Sequence, residues 1–307
     1  MNPARTTCLP ALAGALCVLG LALPPATVSA GQVVLLKSRG ASAYDAAALG
    51  FLSAFRGKVV PLSLEDGTPD ELAQRLRTLR PDAVVAVGLR AATLARAQLP
   101  RTPLIYCVIH HPERHDLRGE WVTGISTDIA PATELDALRT AAPDVRRVAV
   151  FFGTRTGGAF MRAARAAAKG RGLELIEVPI AQLSDLAIAA ERAAGAADAL
   201  WLPGDATVAT PETFRFLLEL SLVTRKPLLV FSESLVRAGA LAAISPDYGS
   251  VGEQVAAVVR RILAGERPGD IPVASVRRTR LVVNGSTARL LGRELSHQAM
   301  HDAEVLP

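Results

Sequence analysis

The stretch from Pro81 to Ile109, PDAVVAVGLRAATLARAQLPRTPLIYCVI, constrains the fold more than any other part of this chain. Val84 to Val87 is short, apolar and mostly β-branched, which is typical of a strand buried on both faces. Gly88 permits a sharp turn, the Ala-rich segment Ala91 to Gln98 favours a helix, and Leu104 to Ile109 is a second apolar run. The stretch therefore predicts a βαβ unit. Such a unit places a helix N-terminus at the carboxyl edge of a parallel sheet, where these sheets bind small molecules.

The same alternation of apolar strands and helices continues through the chain in two consecutive runs. The first run starts with the strand Gln32 to Lys37 and ends with the strand Trp121 to Ser126. The second starts with the helix Ala132 to Ala141 and ends with the strand Pro227 to Phe231. Because each run can form its own parallel sheet, the pattern predicts an α/β fold with two Rossmann-like lobes and a cleft between them. A strongly amphipathic helix, Gly249 to Ala264, follows the second run.

The N-terminal segment, Met1 to Ala30, has the features of a signal peptide. An apolar run extends from Leu9 to Leu23, and Val28-Ser29-Ala30 has the small-x-small pattern of a cleavage site near Ala30. The alternative is a membrane anchor, but the run is shorter than the roughly 20 residues that span a bilayer. We therefore expect an exported, periplasmic protein that begins near Gly31. Of three cysteines only Cys107 remains in that mature chain, so we expect no intrachain disulfide.

The composition argues against nucleic-acid binding, and the lack of catalytic motifs argues against an enzyme. The net charge is +5, the arginines are scattered and only 4% of residues are aromatic, so we expect no nucleic-acid partner. The sequence has no Gly-x-Ser-x-Gly elbow, no Walker loop and no dinucleotide-binding Gly-x-Gly-x-x-Gly motif. We therefore expect neither enzymatic activity nor a cofactor.

One polar loop leaves a metal-dependent enzyme as an alternative. His110, His111 and His115 lie in the segment HHPERHDLRGE, and histidines with carboxylates are a common ligand set. Adjacent histidines on a loop lack the fixed helical spacing of known zinc motifs, however. The sequence therefore favours a solvated or ligand-facing loop over a metal site.

Five segments of the chain together resemble a known family. The segments are PDAVVAVGLRAATLARAQLPRTPLIYCVI, WVTGISTDIAPATELDALRTAAPDVRRVAVFF, ADALWLPGDATVAT, KPLLVFSESLVRAGALAAISPDYGSVGEQVAAVVRRILAGERPGDIPV and RLVVNGSTARLLG. Their order and spacing resemble those of the substrate-binding proteins of ABC transporters, in the branch that contains tryptophan- and tyrosine-binding members. The resemblance covers nearly all of the chain after Ala30 and implies a type I periplasmic-binding fold.

The resemblance also implies how the lobes are connected and what the protein does. It implies three crossings between the lobes, near Ser126 to Ile129, Leu241 to Asp247 and Asp270 to Ser275. It implies a monomer that captures a small-molecule solute, an amino acid or a related carboxylate, and delivers it to the membrane permease of an ABC transporter. A solute sensor that presents its ligand state to a membrane receptor or kinase is the alternative. The expected boundaries are a first lobe of residues 31–126 and 245–270, a second lobe of residues 127–244 and 271–295, and a flexible tail of residues 296–307.

The first candidate site is the turn and helix start formed by Gly88, Leu89, Arg90 and Ala91. Backbone N–H groups at a helix N-terminus favour an anion, so we expect this turn to bind a ligand carboxylate. The resembled family usually has a small hydroxyl residue directly after this glycine, whereas this chain has Leu89 and Arg90. Arg90 either adds a bidentate contact to the carboxylate or is a solvated arginine at the helix start.

The second candidate is Asp205, which follows the strand Ala199 to Leu202 at the expected edge of the cleft. In the resembled family an acidic residue here can contact a ligand ammonium group, and a buried amine needs such a charged partner. The alternative is an aspartate that caps a helix or holds a turn.

The remaining candidates are Ser38, Ser42, Ser126, Asp128, Thr154, Thr156, Phe231 and Tyr248. The serines and threonines that follow strands either donate to a ligand or cap a helix, which for Ser38 and Ser42 would be the first helix. Those at the first crossing, Ser126 and Asp128, are either ligand contacts or hinge residues. The two aromatic side chains could stack on a ligand, with packing in the core as the alternative for Phe231.

Overall fold

The computed structural model describes residues 31–40, 42–155, 157–205, 207–295 and 297–307. Within these ranges the chain forms two sheets, each with an apolar core on both of its faces, as the alternating pattern predicts. The predicted signal peptide and Thr156 lie outside the described residues. The strands are β1 (Val33–Lys37), β2 (Val59–Ser63), β3 (Ala83–Val87), β4 (Leu104–Ile109), β5 (Val122–Ser126), β6 (Arg147–Gly153), β7 (Glu174–Ile180), β8 (Ala199–Leu202), β9 (Leu228–Val230), β10 (Ala242–Pro246), β11 (Ala274–Ser275), β12 (Thr279–Asn284) and β13 (Ala303–Leu306). The α-helices are α1 (Ser42–Ala54), α2 (Pro69–Leu79), α3 (Leu89–Gln98), α4 (Pro131–Ala141), α5 (Gly158–Lys169), α6 (Leu186–Ala196), α7 (Pro211–Thr224), α8 (Glu233–Arg237), α9 (Tyr248–Leu263), α10 (Gly285–Leu290) and α11 (His297–Asp302).

The first sheet has the strand order β11-β5-β4-β3-β1-β2, and its neighbouring strands run parallel. Strand β3 is buried along its whole length, which fits its run of alanines and β-branched valines. Gly88 then turns the chain with a φ of +89°, a conformation that strains other residues, and α3 leads on to β4. The βαβ unit predicted from residues 81–109 is therefore confirmed.

The second sheet has the strand order β13-β12-β10-β9-β8-β6-β7. The sequence predicts a parallel sheet, and all neighbouring strands are parallel except β10 and β12, which run antiparallel. The chain leaves β10 at Pro246 and returns at Thr279, which is paired directly with Pro246. Because the chain leaves and re-enters the sheet at the same end, β12 has to run in the opposite direction.

Three connections link the two sheets, and the last differs from the expected position. The first follows β5 at residues 127–130, and the second lies at Asp247 between β10 and α9. Both agree with the expected crossings. The third lies at residues 276–278, because Ala274 and Ser275 still pair with Ile125 and Ser126 at the edge of the first sheet. Residues 271–275 therefore belong with the first sheet, whereas the sequence predicts them in the second lobe. Residues 245 and 246 are part of β10 in the second sheet, whereas the sequence predicts them in the first lobe.

Helix α9 packs on the first sheet although it follows the second sheet in the chain. Its Val251, Val255 and Val259 share a buried cluster with residues of β1, β3 and α1. Glycines permit a very close approach of α1 and α9: a Cβ added at Gly252 would lie 2.1 Å from the Ala47 carbonyl oxygen. This close crossing of α1 and α9 at a glycine lets α9 pack on the first sheet.

The C-terminal residues contradict the expectation of a flexible tail. Residues 297–302 form α11, and β13 adds a parallel edge strand to β12. Leu306 and Ala299 are buried, and Leu306 belongs to an apolar cluster of the second sheet. The polar composition of the segment gives no sign of these two buried apolar residues, which hold it on the sheet together with the pairing of β13 and β12. Among the described residues, no helix combines the length and apolarity needed to cross a membrane.

Candidate functional site

Each sheet has one point at which its strand order reverses direction, and open α/β sheets bind ligands at such points. In the first sheet this point lies between β1 and β3, and in the second between β6 and β8. At each point, a polar side chain that follows one of the two strands accepts a backbone N–H from the end of the neighbouring strand or from the segment after it. Ser38 and Asp205 are these two side chains.

At the first reversal point, Ser38 caps α3. Its Oγ accepts the Ala91 N–H at 3.0 Å, and the residue is almost fully buried. The sequence gives two alternatives for Ser38, a ligand contact or a cap on the first helix. The structure shows a cap on α3 instead. The Ala91 N–H, predicted to bind a ligand carboxylate, is thus engaged within the protein. A Cβ added to Gly88 would lie 2.8 Å from Ser38 Oγ and 2.9 Å from Tyr44, so this turn is tightly covered.

The other residues of this predicted anion site face a different surface. Leu89 and the exposed Arg90 line a groove between α2 and α3, together with Leu64, Pro69 and others. This groove is separate from the cavity between the sheets, to which neither residue contributes. The carboxylate contact of Arg90 stays a prediction. Its exposure outside the cavity lining favours the alternative, a solvated arginine.

At the second reversal point, Asp205 holds a turn. Its two carboxylate oxygens accept the Gly153 N–H at 3.1 Å and the Thr207 N–H at 2.9 Å. The side chain is nearly buried, and the residue also lines the cavity between the sheets. The turn interpretation therefore describes its contacts, and contact with a ligand ammonium stays a prediction. Thr154, at the end of β6, is exposed and outside the cavity lining.

A cavity of about 50 Å³ lies where strand ends of the two sheets meet the first crossing. This volume is well below the roughly 300–1,000 Å³ of small-molecule sites. Thr127 lines the cavity, and its hydroxyl is buried without a hydrogen-bond partner among the described residues. The lining residues are His110, His111, Arg114, Thr127, Asp128, Ile129, Glu134, Phe160, Pro203, Gly204, Asp205 and Phe231.

Asp128 connects the loop after β4 to the first crossing. Its carboxylate accepts the His111 N–H at 3.0 and 3.1 Å and the Ser126 hydroxyl at 2.7 Å, and His110 Nδ1 lies 3.5 Å away. Burial alone would raise the pKa of Asp128, but the bonds from His110, Ser126 and the His111 N–H together lower it to about 2. Asp128 is therefore an anion at neutral pH whose hydrogen bonds hold the first crossing, and it also lies in the cavity wall. The hinge role of Ser126 and Asp128 stays a prediction.

The same cluster contains atoms of the types that bind metals. One ligand atom each from His111, Glu113 and Asp128 lies within 4.8 Å of the others. His111 Nδ1 is 3.5 Å from Glu113 and 3.7 Å from Asp128, which are ion-pair separations. Because Asp128 already accepts N–H and hydroxyl donors, these three side chains form a hydrogen-bonded cluster between the loop after β4 and the first crossing. His110, His111 and Arg114 also line the cavity, so the loop faces the space between the sheets.

The most unusual side chain of the cavity is Glu134, which the sequence prediction missed. It is 5% exposed, and one of its carboxylate oxygens, Oε2, accepts the Trp201 Nε1–H at 2.9 Å. Phe160 packs on Trp201 at a ring-centre distance of 5.3 Å. Burial and, to a smaller extent, the Asp128 charge raise the pKa of Glu134 to about 8, against the lowering effect of the Trp201 bond.

A sequence signal for Glu134 does exist. It lies one turn before Leu138 and two turns before Ala141, on the buried face of α4. An acid on an apolar helix face, with a tryptophan in a later buried strand that needs an acceptor for its N–H, indicates such a pair.

The remaining aromatic candidates have different positions. Phe231 is half-buried and lines the cavity near Gly204, and its contact with a ligand stays a prediction. Tyr248 begins α9 and packs against the core of the first sheet, and burial raises the pKa of its hydroxyl. Tyr248 is not part of the cavity lining, and Ser42 is exposed at the start of α1.

The family model for ABC transporter substrate binding proteins matches residues 64–304, more than three quarters of the chain. The chain is also similar to a tyrosine-binding protein of Clostridioides difficile (strain R20291). The two are 22% identical over 232 residues, which are 73% of this chain and 67% of that protein.

Solved structures have the same fold. A ligand-free, open substrate binding protein with adhesive properties from Clostridium difficile is similar, with a TM-score of 0.74 and 20% identity. An ABC domain from Streptococcus pneumonia, in complex with L-Trp, is similar with a TM-score of 0.63 and 19% identity. Each comparison covers 90% of this chain and 99% of the other.

Proposed function

The chain belongs to the family of ABC transporter substrate-binding proteins, and from this premise we propose that it captures an amino acid or a related carboxylate for an ABC permease. The ligand would be held in the cavity between the two sheets, and the three connections would act as a hinge between two lobes. The protein would bind its ligand without chemical conversion.

The observation that carries this proposal is the distribution of ionisable groups around the cavity. His110, His111 and Arg114, from the loop after β4, line its first-sheet side. Glu134 and Asp205 line the side formed by the second sheet and its helices. Basic groups on one side and acids on the other complement a zwitterion, whose carboxylate and ammonium lie at opposite ends of one small group.

The cavity also has apolar surfaces for a side chain. Phe160, Phe231 and Ile129 line it beside the polar groups. Small-molecule sites usually combine such apolar walls with a few convergent polar groups. The tyrosine- and tryptophan-binding relatives bind aromatic amino acids, so we include these first among the ligands to be tested.

Delivery to a permease and export from the cytoplasm complete the proposal. The signal-like segment before Gly31 supports export to the periplasm, where the protein would meet both its solute and the permease. A permease and an ATPase encoded beside this protein would support delivery, whereas a neighbouring histidine kinase alone would favour a sensor.

A thermal-shift screen tests the binding function. The chain from Gly31 to Pro307 would be melted with each of the twenty amino acids, with small carboxylates and with sugars. A ligand at 100 times its Kd stabilises the folded state by about 2.7 kcal/mol, so a true ligand raises the melting temperature by several degrees. If no amino acid or carboxylate among them raises it, the proposed ligand class is wrong.

Two arginine variants distinguish the cavity from the helix start predicted by sequence. Arg114 and Arg90 are both exposed, but only Arg114 lines the cavity. We expect Arg114→Gln to weaken binding about tenfold, since a hydrogen bond to a charged group contributes roughly 1.5 kcal/mol, and Arg90→Gln to leave it unchanged. The opposite result would place the carboxylate at α3.

A further inference from the structure

Glu134 combines deep burial, one free carboxylate oxygen and a position in the cavity wall. Its Oε2 accepts the Trp201 N–H, and no other side-chain partner is found for it among the described residues. Trp201 is fully buried and Phe160 packs against it, so the acceptor oxygen is held in a fixed position. The second oxygen, Oε1, is left for a group that enters the cavity.

The surroundings of Glu134 supply no positive charge within ion-pair distance among the described residues. Of the neighbouring elements, β8 and β10 contain no ionisable side chain. The nearest charge that acts on Glu134 is the Asp128 carboxylate, and its effect opposes ionisation. The other ionisable cavity groups are His110, His111, Arg114 and Asp205. The ionisable groups of the packed helices are exposed: Arg162, Arg165 and Lys169 on α5, and His297, His301 and Asp302 on α11.

A buried carboxyl group without a cation has two stable arrangements. It keeps its proton while the cavity contains no cation, because desolvation penalises the charged form. It loses the proton when a cation arrives at its free oxygen, because the pair then compensates the burial. Burial already raises the pKa of Glu134 to about 8, so the neutral form prevails at pH 7.

We propose that Glu134 binds the protonated amine of the ligand through Oε1, and that each binding event releases the proton of the Glu134 carboxyl group to solvent. The proposal rests on the proposed function and identifies the ligand more closely, as one that has an ammonium group. Asp205 and Asp128 border the same cavity and make its potential more negative, which favours a cation over a neutral donor. No covalent bond forms or breaks except the O–H bond of Glu134.

Isothermal titration calorimetry in two buffers of different ionisation enthalpy measures this proton. The probe is whichever of the twenty amino acids raises the melting temperature, and its comparison ligand is the same acid without the amine. At pH 7 we expect release of about 0.9 proton per ligand, and about 0.1 at pH 9, for a group that titrates near 8. The apparent affinity should rise about tenfold per unit between pH 5 and pH 7.

The variant Glu134→Gln tests the assignment of this proton. Glutamine keeps the side-chain length and an acceptor oxygen for Trp201, but it has no proton to release. We expect the released proton and the pH dependence of affinity to disappear, and binding at pH 8 to weaken at least tenfold. Glu191→Gln, which changes an exposed acid of α6 outside the cavity lining, is the matched control and should behave as the unmodified chain.

The outcomes separate the two proposals. Binding of an amino acid without proton release, or equal binding of the ligand that lacks the amine, overturns the role of Glu134 and leaves the binding function intact. Failure of every amino acid and every small carboxylate to bind overturns both proposals. If Glu134→Gln does not fold, the proton count of the unmodified chain decides the matter alone.

Discussion

Replacing Gly252 by alanine is predicted to loosen the contact that returns the chain to its first sheet. Gly252 lies in α9 where that helix crosses α1. A Cβ at this position would lie 2.1 Å from the Ala47 carbonyl oxygen and 2.5 Å from the Phe51 amide nitrogen. Both contacts are with backbone atoms, so no side chain can rotate away and the two helices must move apart by about 1 Å.

The size of the effect follows from two opposing contributions. Overpacking of a core costs typically 1–3 kcal/mol or more, and a gap of 0.5–1 Å removes about a quarter to a half of each dispersion contact across the interface. Alanine in place of glycine stabilises a helix by about 1 kcal/mol. For a contact this short we expect the first contribution to prevail, with a net loss of about 1–3 kcal/mol.

The same substitution elsewhere provides the control. Gly195 lies in α6, is exposed and has no atom within 4 Å of an added Cβ, so Gly195→Ala should stabilise the chain by up to about 1 kcal/mol. Melting followed by circular dichroism should therefore show a lower midpoint for Gly252→Ala and an equal or higher one for Gly195→Ala, by about 2–4 °C per kcal/mol. A Gly252→Ala chain as stable as the unmodified one would refute the close contact between α1 and α9.

Three further substitutions have predicted effects on stability. The lowered pKa of Asp128 stabilises the fold above pH 4 and is lost as the pH falls through about 2, so Asp128→Asn should lose about 1–2 kcal/mol at pH 7 and show a flatter acid denaturation curve. The raised pKa of Glu134 has the opposite sign: stability decreases as the pH rises from 4.5 through about 8, and urea denaturation of Glu134→Gln at pH 6 and 9 should show little of this decrease. Asp205→Ala leaves the Gly153 and Thr207 N–H groups without their acceptor and should lower stability by about 1–3 kcal/mol without ligand, measured by thermal melting. It should also weaken an amine ligand by roughly 2–4 kcal/mol in calorimetry, and unchanged affinity would exclude Asp205 from the ligand contacts.

The elements of the fold were predictable because the signals for them are local. The apolar β-branched run of β3, the glycine turn and the Ala-rich α3 act within about thirty residues, and the structure confirms all three. The strand β13 was missed because its support is not local. Leu306 and Ala299 are buried by residues distant in the chain, and the composition of residues 296–307 contains no sign of these contacts.

The direction of β12 depends on a similar non-local relation. Its sequence, with a buried run from Leu281 to Asn284, is equally suited to either direction. What decides the direction is that Thr279 enters the second sheet beside Pro246, where the chain had left it. The short connection from β11 to β12 leaves no room for the crossover that a parallel neighbour requires.

The candidate site shows why residue type and strand position alone predict contacts poorly. Ser38, at a strand end, is predicted from the sequence as a ligand contact or a helix cap, and the Ala91 N–H, at a helix N-terminus, as a carboxylate donor. In the structure the two bond to one another. A polar group at a strand end is available to a ligand only if no neighbouring strand end supplies its partner, and the partner is 53 residues away in the chain. Glu134 presents the reverse case: it lies inside a helix that appears structural, yet its only side-chain partner among the described residues engages one oxygen. The informative property is therefore the balance of donors and acceptors around each buried group. In this cavity that balance leaves one carboxyl oxygen of Glu134 for a ligand to satisfy.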